Sequence, residues 1–368
     1  VGTVTEGDSV TYRGHKLVIS FKVQPKAGFL GGNEVYTNTS AGIYENGSAE
    51  NPLLTFDRPT VNVPIKDVTV TAKDKNVYLK GEVTADQLKD GSEISVGDVK
   101  LDLSKAADTD KPYGLDSWQT EYVDITVTDK DKDGNVISDK LDNLTDDTTY
   151  TVEVTVTPKT TGSTGSAGTP ATEKSGKNTP AANINVFKPE LTFRDSTAYY
   201  GETVPTNNDY SSNRVGTEKW MHDGTEAVPS EMLGTKPMLD ISYAPDESKL
   251  KNGKYTKQDV PVSATVKIGT ENVNEHTTFV HQDCTGKTCT LPEGYHFWIH
   301  IQTCTLSITK QGGADNESYV FDVFKDGEKY SEVTVWGNGT ETLVELPIGT
   351  YTISENTGWS WRHSANNG

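Results

Sequence analysis

The chain has 368 residues and carries 53 Asp and Glu against 34 Lys and Arg, a formal net charge of −19. A surface this acidic repels nucleic acid and anionic lipid, which sets both aside as partners, and it keeps a long chain soluble. No run approaches the roughly 20 apolar residues of a membrane helix, so no membrane insertion is expected, and the length allows three or four compact domains.

Val, Ile, Thr, Tyr and Phe dominate the apolar set and Ala-Leu-rich stretches are almost absent, which favours strands over helices. A hydrophobic fraction of 33% implies thin cores, as in sandwiches that bury one face of each strand. The expected class is all-β: tandem immunoglobulin-like sandwiches in an elongated array. The N-terminus lacks the basic-then-apolar pattern of a signal peptide, so the chain reads as an interior piece of a longer protein.

Lys16 to Val23 (KLVISFKV) predicts a strand, Gly31-Gly32-Asn33 a turn, and Pro59 to Ile65 (PTVNVPI) a closing strand, giving a first module over 1–65. The second, 66–188, opens with DVTVTA and NVYLKGEV and includes Val123 to Thr128 and Thr149 to Pro158. Residues 159–180, rich in Thr, Ser, Gly and Pro, read as a flexible loop before a return strand at Ala182 to Phe187. Phe187-Lys188-Pro189 reads as an exit. The third module, 189–304, has strands at Leu191–Phe193, Met238–Tyr243, Val260–Ile268, Thr277–Val280 and Tyr295–Ile301, with a long 205–237 loop. The fourth, 305–368, has strands at Leu306–Lys310, Tyr319–Lys325, Ser331–Trp336, Glu341–Leu346 and Gly349–Glu355, and its last strand is expected to be missing.

Cys284 and Cys289 enclose a Gly in a C-x4-C spacing, which suits a small disulfide loop and an oxidising compartment. His281 lies near, but one His does not complete a zinc site, and no metal is expected. Cys304 is left over, either a free thiol or half of a pair whose partner lies outside the fragment.

The fourth module carries a resemblance. Leu-Ser-Ile-Thr-Lys (306–310), Phe-Asp-Val-Phe-Lys-Asp-Gly (321–327) and Leu-Pro-Ile-Gly-Thr-Tyr-Thr-Ile-Ser-Glu (346–355) resemble the Cna-B, or SpaA-like, domains of Gram-positive pilins and adhesins. More loosely, FLGGN (29–33) and PTVNVPI (59–65) resemble the stacked domains of surface proteins of gut Firmicutes. The resemblance implies an intramolecular isopeptide bond, with Lys310 as the amine and Glu355 as the buried acid. The chemistry is sound on its own terms. An amine attacks only when neutral, which burial favours, and a buried protonated carboxyl can polarise the acceptor carbonyl and relay the proton. The acceptor should follow Trp359-Ser-Trp-Arg362, where Asn366 and Asn367 are the only Asn, in a context that does not read as a strand.

Other candidates carry less. Asp129-x-Asp131-x-Asp133-Gly134 imitates the start of a calcium loop, but Lys140 stands where a bidentate Glu belongs, so a hairpin turn is expected. Binding surfaces favour Trp and Tyr, which singles out Tyr199, Tyr200, Trp220 and His222, the latter two within Ser211 to Pro237. Trp359 and Trp361, alternately spaced on one side of Arg362, fit core packing. No Ser-His-Asp order or phosphate loop is present, so an enzyme is not expected, nor any cofactor. The resemblance points to a secreted adhesin, cell-wall anchored at full length. As a monomeric rod it would present a surface to a host extracellular protein or glycoprotein, immunoglobulin being one candidate. The alternative is a stalk or pilin-type spacer with no ligand of its own.

Overall fold

A computed structural model describes residues 24–36, 42–44, 52–55, 60–159, 171–206, 215–282, 290–356 and 358. The fold is all-β, with several separate sheets, one five-residue α-helix and short 3-10 turns among the described residues. The chain divides into two compact units that alternate along the sequence: 1–74, 84–140 and 149–183 form the first, and 75–83, 141–148 and 184–368 the second. The strand expected at Lys16 to Val23 lies outside the described residues.

In the first unit the strand Thr60–Val63, expected from PTVNVPI, pairs antiparallel with Asn33–Tyr36. The chain reaches Asn33 through Gly31, whose φ of +87° suits glycine; a Cβ there would come within 2.0 Å of the Pro64 carbonyl oxygen. The main sheet joins Val123–Asp131 to Thr148–Pro158 in antiparallel register, and Lys174–Lys177 also pairs antiparallel with Thr148–Pro158. Tyr150, Val152, Val154 and Val156 are all fully buried and alternate with half-exposed residues, the two-residue period of a strand with one face on a core. That third strand lies inside the stretch expected to be loop. Its pairing ends at Asn178, whose buried carboxamide oxygen accepts from the Val152 amide at 2.8 Å. The short helix Ala85–Lys89 starts with a capping box: Thr84 Oγ1 accepts from the Gln87 amide, and Gln87 returns the bond to the Thr84 amide. It turns fully buried Leu88 inward.

The second unit is organised by the long strand Ala182–Arg194, whose residues from Ile184 onward belong to it. Ile184 to Phe187 run parallel to Lys75–Tyr78, and Glu190 to Arg194 run parallel to Thr278–Gln282. The exit expected at Phe187-Lys188-Pro189 therefore lies within a continuous strand. Proline can sit there because the strand changes parallel partner at that point, so its missing N–H falls in neither parallel register. The 205–237 segment, expected to be loop, contributes the strand Val215–His222, antiparallel to Lys188–Phe193. A second sheet orders Ser196–Tyr199, Phe297–Gln302, Val260–Ile268 and Leu239–Pro245. Phe193, Tyr243 and Phe297 are buried together in an aromatic core, with Phe279 stacked on Phe193 at 6.0 Å.

The C-terminal part of this unit has two small sheets. Cys304–Thr309 pairs with Thr340–Leu346, and Ser318–Lys325 lies between Glu328–Trp336 and Tyr351–Glu355. All five strands fall where alternation placed them. Ile308, Phe321, Val323, Val333 and Val335 form their common core.

Candidate functional site

Lys310 follows directly on the strand Cys304–Thr309, and its amide is held by the Gly339 carbonyl at 3.1 Å. Glu355 ends the strand Tyr351–Glu355, in register with Phe321 of the core. The fold thus brings together groups 45 residues apart: Lys310 Nζ donates to Glu355 Oε2 at 2.9 Å. The ammonium also lies 4.4 Å from the Tyr319 ring centroid, a cation–π contact. Both side chains are partly buried, at 20% and 34% exposure. Here the lysine donates to the acid; to act as a nucleophile it must first pass a proton on, and Glu355 is placed to take it. Trp359, Trp361, Arg362, Asn366 and Asn367 lie outside the described residues, as do Cys284 and Cys289 with the expected disulfide. Cys304 is half-buried and has no disulfide partner among the described residues.

The aromatic candidates separate by burial. Tyr199 is 42% exposed. Tyr200 is half-buried, its carbonyl accepting from the Ile348 amide at 2.7 Å. Trp220 is buried, edge-on to Tyr78 at 5.1 Å, and serves the core. His222 packs on the Phe187 ring, with its Nε2 2.9 Å from Asp147 Oδ2. The structure does not gather these four into one site: Tyr199 lies on the Ser196–Tyr199 strand of one sheet, and Trp220 and His222 on the Val215–His222 strand of another. The acidic Asp129–Gly134 segment is a hairpin. Asp131 uses its carboxylate on its own turn, accepting from the amides of Asp133 and Asn135 and from the Asn135 side chain. These bonds hold its carboxyl below the usual carboxylate range. Among the described residues no group of three or more His, Cys, Asp or Glu side chains has the arrangement of a metal site.

One cluster escapes sequence reading. Asp195 lies between the strands Ala182–Arg194 and Ser196–Tyr199. Its Oδ1 is 2.7 Å from His281 Nε2 and accepts from the Trp298 amide at 2.8 Å, while its Oδ2 is 3.3 Å from His300 Nε2. The other ring nitrogen of His300, Nδ1, is 2.9 Å from Asp259 Oδ2, and Asp259 Oδ1 accepts from the Ile301 amide at 2.8 Å. Asp195 and His300 are 105 residues apart, so no local pattern could join them. The alternation in His-Phe-Trp-Ile-His-Ile-Gln was the only available signal; it put His300 on the face opposite the buried Phe297 and Ile299.

No protein-family model and no curated protein matches the chain. Among solved structures it is similar to the Bacillus anthracis TIE protein, at 14% identity and a TM-score of 0.22, covering 64% of this chain and 45% of that one. The match thus spans less than half of that structure, and a TM-score so low does not define a shared fold.

Proposed function

We propose that this chain belongs to an extracellular bacterial surface protein of the adhesin type, whose β modules hold a surface toward a host protein or glycoprotein, immunoglobulin among them. The observation that carries this reading is the Lys310–Glu355 contact: amine and acid meet at the two positions the Cna-B resemblance assigns. The all-β architecture supports it. Tyr199 is the most exposed of the candidate contact residues and is the first to test. With the chain immobilised, purified immunoglobulin and mucosal glycoproteins should be retained saturably, and Tyr199→Ala should weaken retention about tenfold. Absence of any saturable partner would leave the spacer reading standing alone.

That second reading, a stalk braced by an intramolecular amide, is favoured by the same pair. In the reaction the Lys310 amine attacks an Asn carboxamide, Glu355 relays the amine's proton, and one ammonia leaves. Intact mass should then be lower than the sequence requires by one ammonia, the deficit surviving reduction and vanishing in Lys310→Ala. A mass equal to that of the sequence, apart from disulfide hydrogens, would remove the covalent brace.

A further inference from the structure

We propose that the cleft at the hairpin between Ser318–Lys325 and Glu328–Trp336 binds a saccharide, an uncharged sugar of a host glycoprotein. This rests on the adhesin reading and names the chemistry that such a surface recognises. Lys325, Asp326, Glu328, Lys329 and Tyr330 line a cleft of about 330 Å³, at the small end of the range for ligand sites. Its one aromatic wall is Tyr330, a residue 44% exposed. The other four are two lysines and two acids, so the lining is balanced in charge. That balance bears on the ligand. An anion would meet two carboxylates and a cation two ammonium groups, so neither sign is drawn in. An apolar ligand would strip water from four charged groups without replacing their hydrogen bonds. A pyranose suits the lining: its C–H face packs on an aromatic ring, and its hydroxyls both donate and accept.

The cleft is held in shape by its own surroundings. Tyr330 meets Tyr351 edge-on at 6.0 Å, and the Tyr351 hydroxyl donates to the Pro347 carbonyl at 2.7 Å. Two bonds pin the turn to the loop beside it: the Asp326 amide donates to the Thr350 carbonyl, and Asp326 Oδ1 accepts from the Thr350 amide, both at 2.9 Å. Asp326 and Gly327 sit at φ of +52° and +91°, as a tight hairpin turn requires. Lys325 pairs with Asp326, and Lys329 is braced by Asp322 at 2.8 Å and Glu332 at 2.7 Å. Each ammonium has three N–H groups and so keeps one for a ligand oxygen. The Glu328 carboxylate has no partner among the described residues and can accept from a hydroxyl. An exposed ring and polar groups already fixed in position reduce the ordering cost of binding. Tyr199 belongs to the same joint, because its neighbour Tyr200 accepts at its carbonyl from the amide of Ile348, the residue after Pro347.

The test titrates the full chain, its tyrosine rings labelled, with neutral oligosaccharides released from mucin. Tyr330 ring signals should shift saturably, and the affinity should change less than about twofold between about 0.05 and 0.5 M salt. By calorimetry, Tyr330→Ala and Glu328→Gln should each weaken binding about tenfold. Absence of saturable binding by any released sugar would overturn the cleft. So would binding that both variants leave unchanged, or an affinity that falls steeply with salt. Retention on immobilised protein separates this proposal from the adhesin reading. A glycoprotein still retained after enzymatic removal of its sugars, by wild type and Tyr330→Ala alike, would keep that reading and remove the cleft. Sugar binding without retention of any intact glycoprotein would uphold the cleft and remove the reading. The wild-type titration decides the matter even where a variant does not fold.

Discussion

Phe193→Ala is expected to destabilise its unit by about 3–5 kcal/mol, the range for removing a fully enclosed aromatic side chain. Phe193 is fully buried and meets aromatic rings on several sides. Phe297 stacks on it at 5.7 Å and Phe279 at 6.0 Å, while Tyr243 meets it edge-on at 6.2 Å. Offset and edge contacts of this kind add to the area term, so the loss exceeds simple transfer of a ring to water. These neighbours come from three separate strands, which limits how far the cavity can collapse. Equilibrium unfolding in denaturant, followed by tryptophan fluorescence, should show one transition moving to much lower denaturant with the other little changed. A shift worth less than about 1 kcal/mol would mean that the aromatic cluster repacks freely.

Asp129→Leu is expected to act in the opposite direction, raising the stability of the first unit at neutral pH by about 1–3 kcal/mol. Asp129 is 2% exposed, and neither carboxylate oxygen has a hydrogen-bond partner. Lys89 Nζ stands 3.5 Å from Oδ2, which offsets part of the desolvation cost. Burial outweighs that attraction, with Asp86 adding a smaller repulsion, and the carboxyl is pushed above its ordinary value of 3.8. A carboxyl whose pKa is higher folded than unfolded binds its proton more tightly in the native state. The native state is therefore favoured in acid and loses stability as pH rises from 3.8 through the folded value. Leucine removes this slope along with the buried charge, and Lys89, 26% exposed, can turn to water. Denaturant midpoints measured across the acid range check both effects. A loss of stability in the variant would show that the Lys89–Asp129 attraction exceeds the cost of burial.

Individual strands were more legible in the sequence than their partners were. Val260–Ile268 was expected with the bounds it has, and the strands of the C-terminal part were each placed within a few residues, because alternation records locally which face a residue buries. Partner choice leaves no such record. Pro189 reads locally as a stop, yet it lies inside a strand because the neighbours change there. Trp220 reads as a loop aromatic, yet its strand is claimed by a partner some thirty residues earlier in the chain, and it is buried. For the candidate sites the contrast is similar. Lys310 and Glu355 could be paired by motif, whereas Asp195, Asp259, His281 and His300 are single residues in unremarkable contexts. Their meaning arises only when two sheets place them side by side.

The parallel pairing of Ser196–Tyr199 with Phe297–Gln302 has a kinetic consequence. Parallel neighbours cannot form a tight hairpin, and here the partners lie far apart in the chain, which makes closure slow and late. As the chain emerges during synthesis, Ser196–Tyr199 has no sheet to join until Gln302 has followed. Until then its edge is open to proteases and to other chains. Folding of this sheet should therefore behave as a late event, timed by its last strand and not by its first.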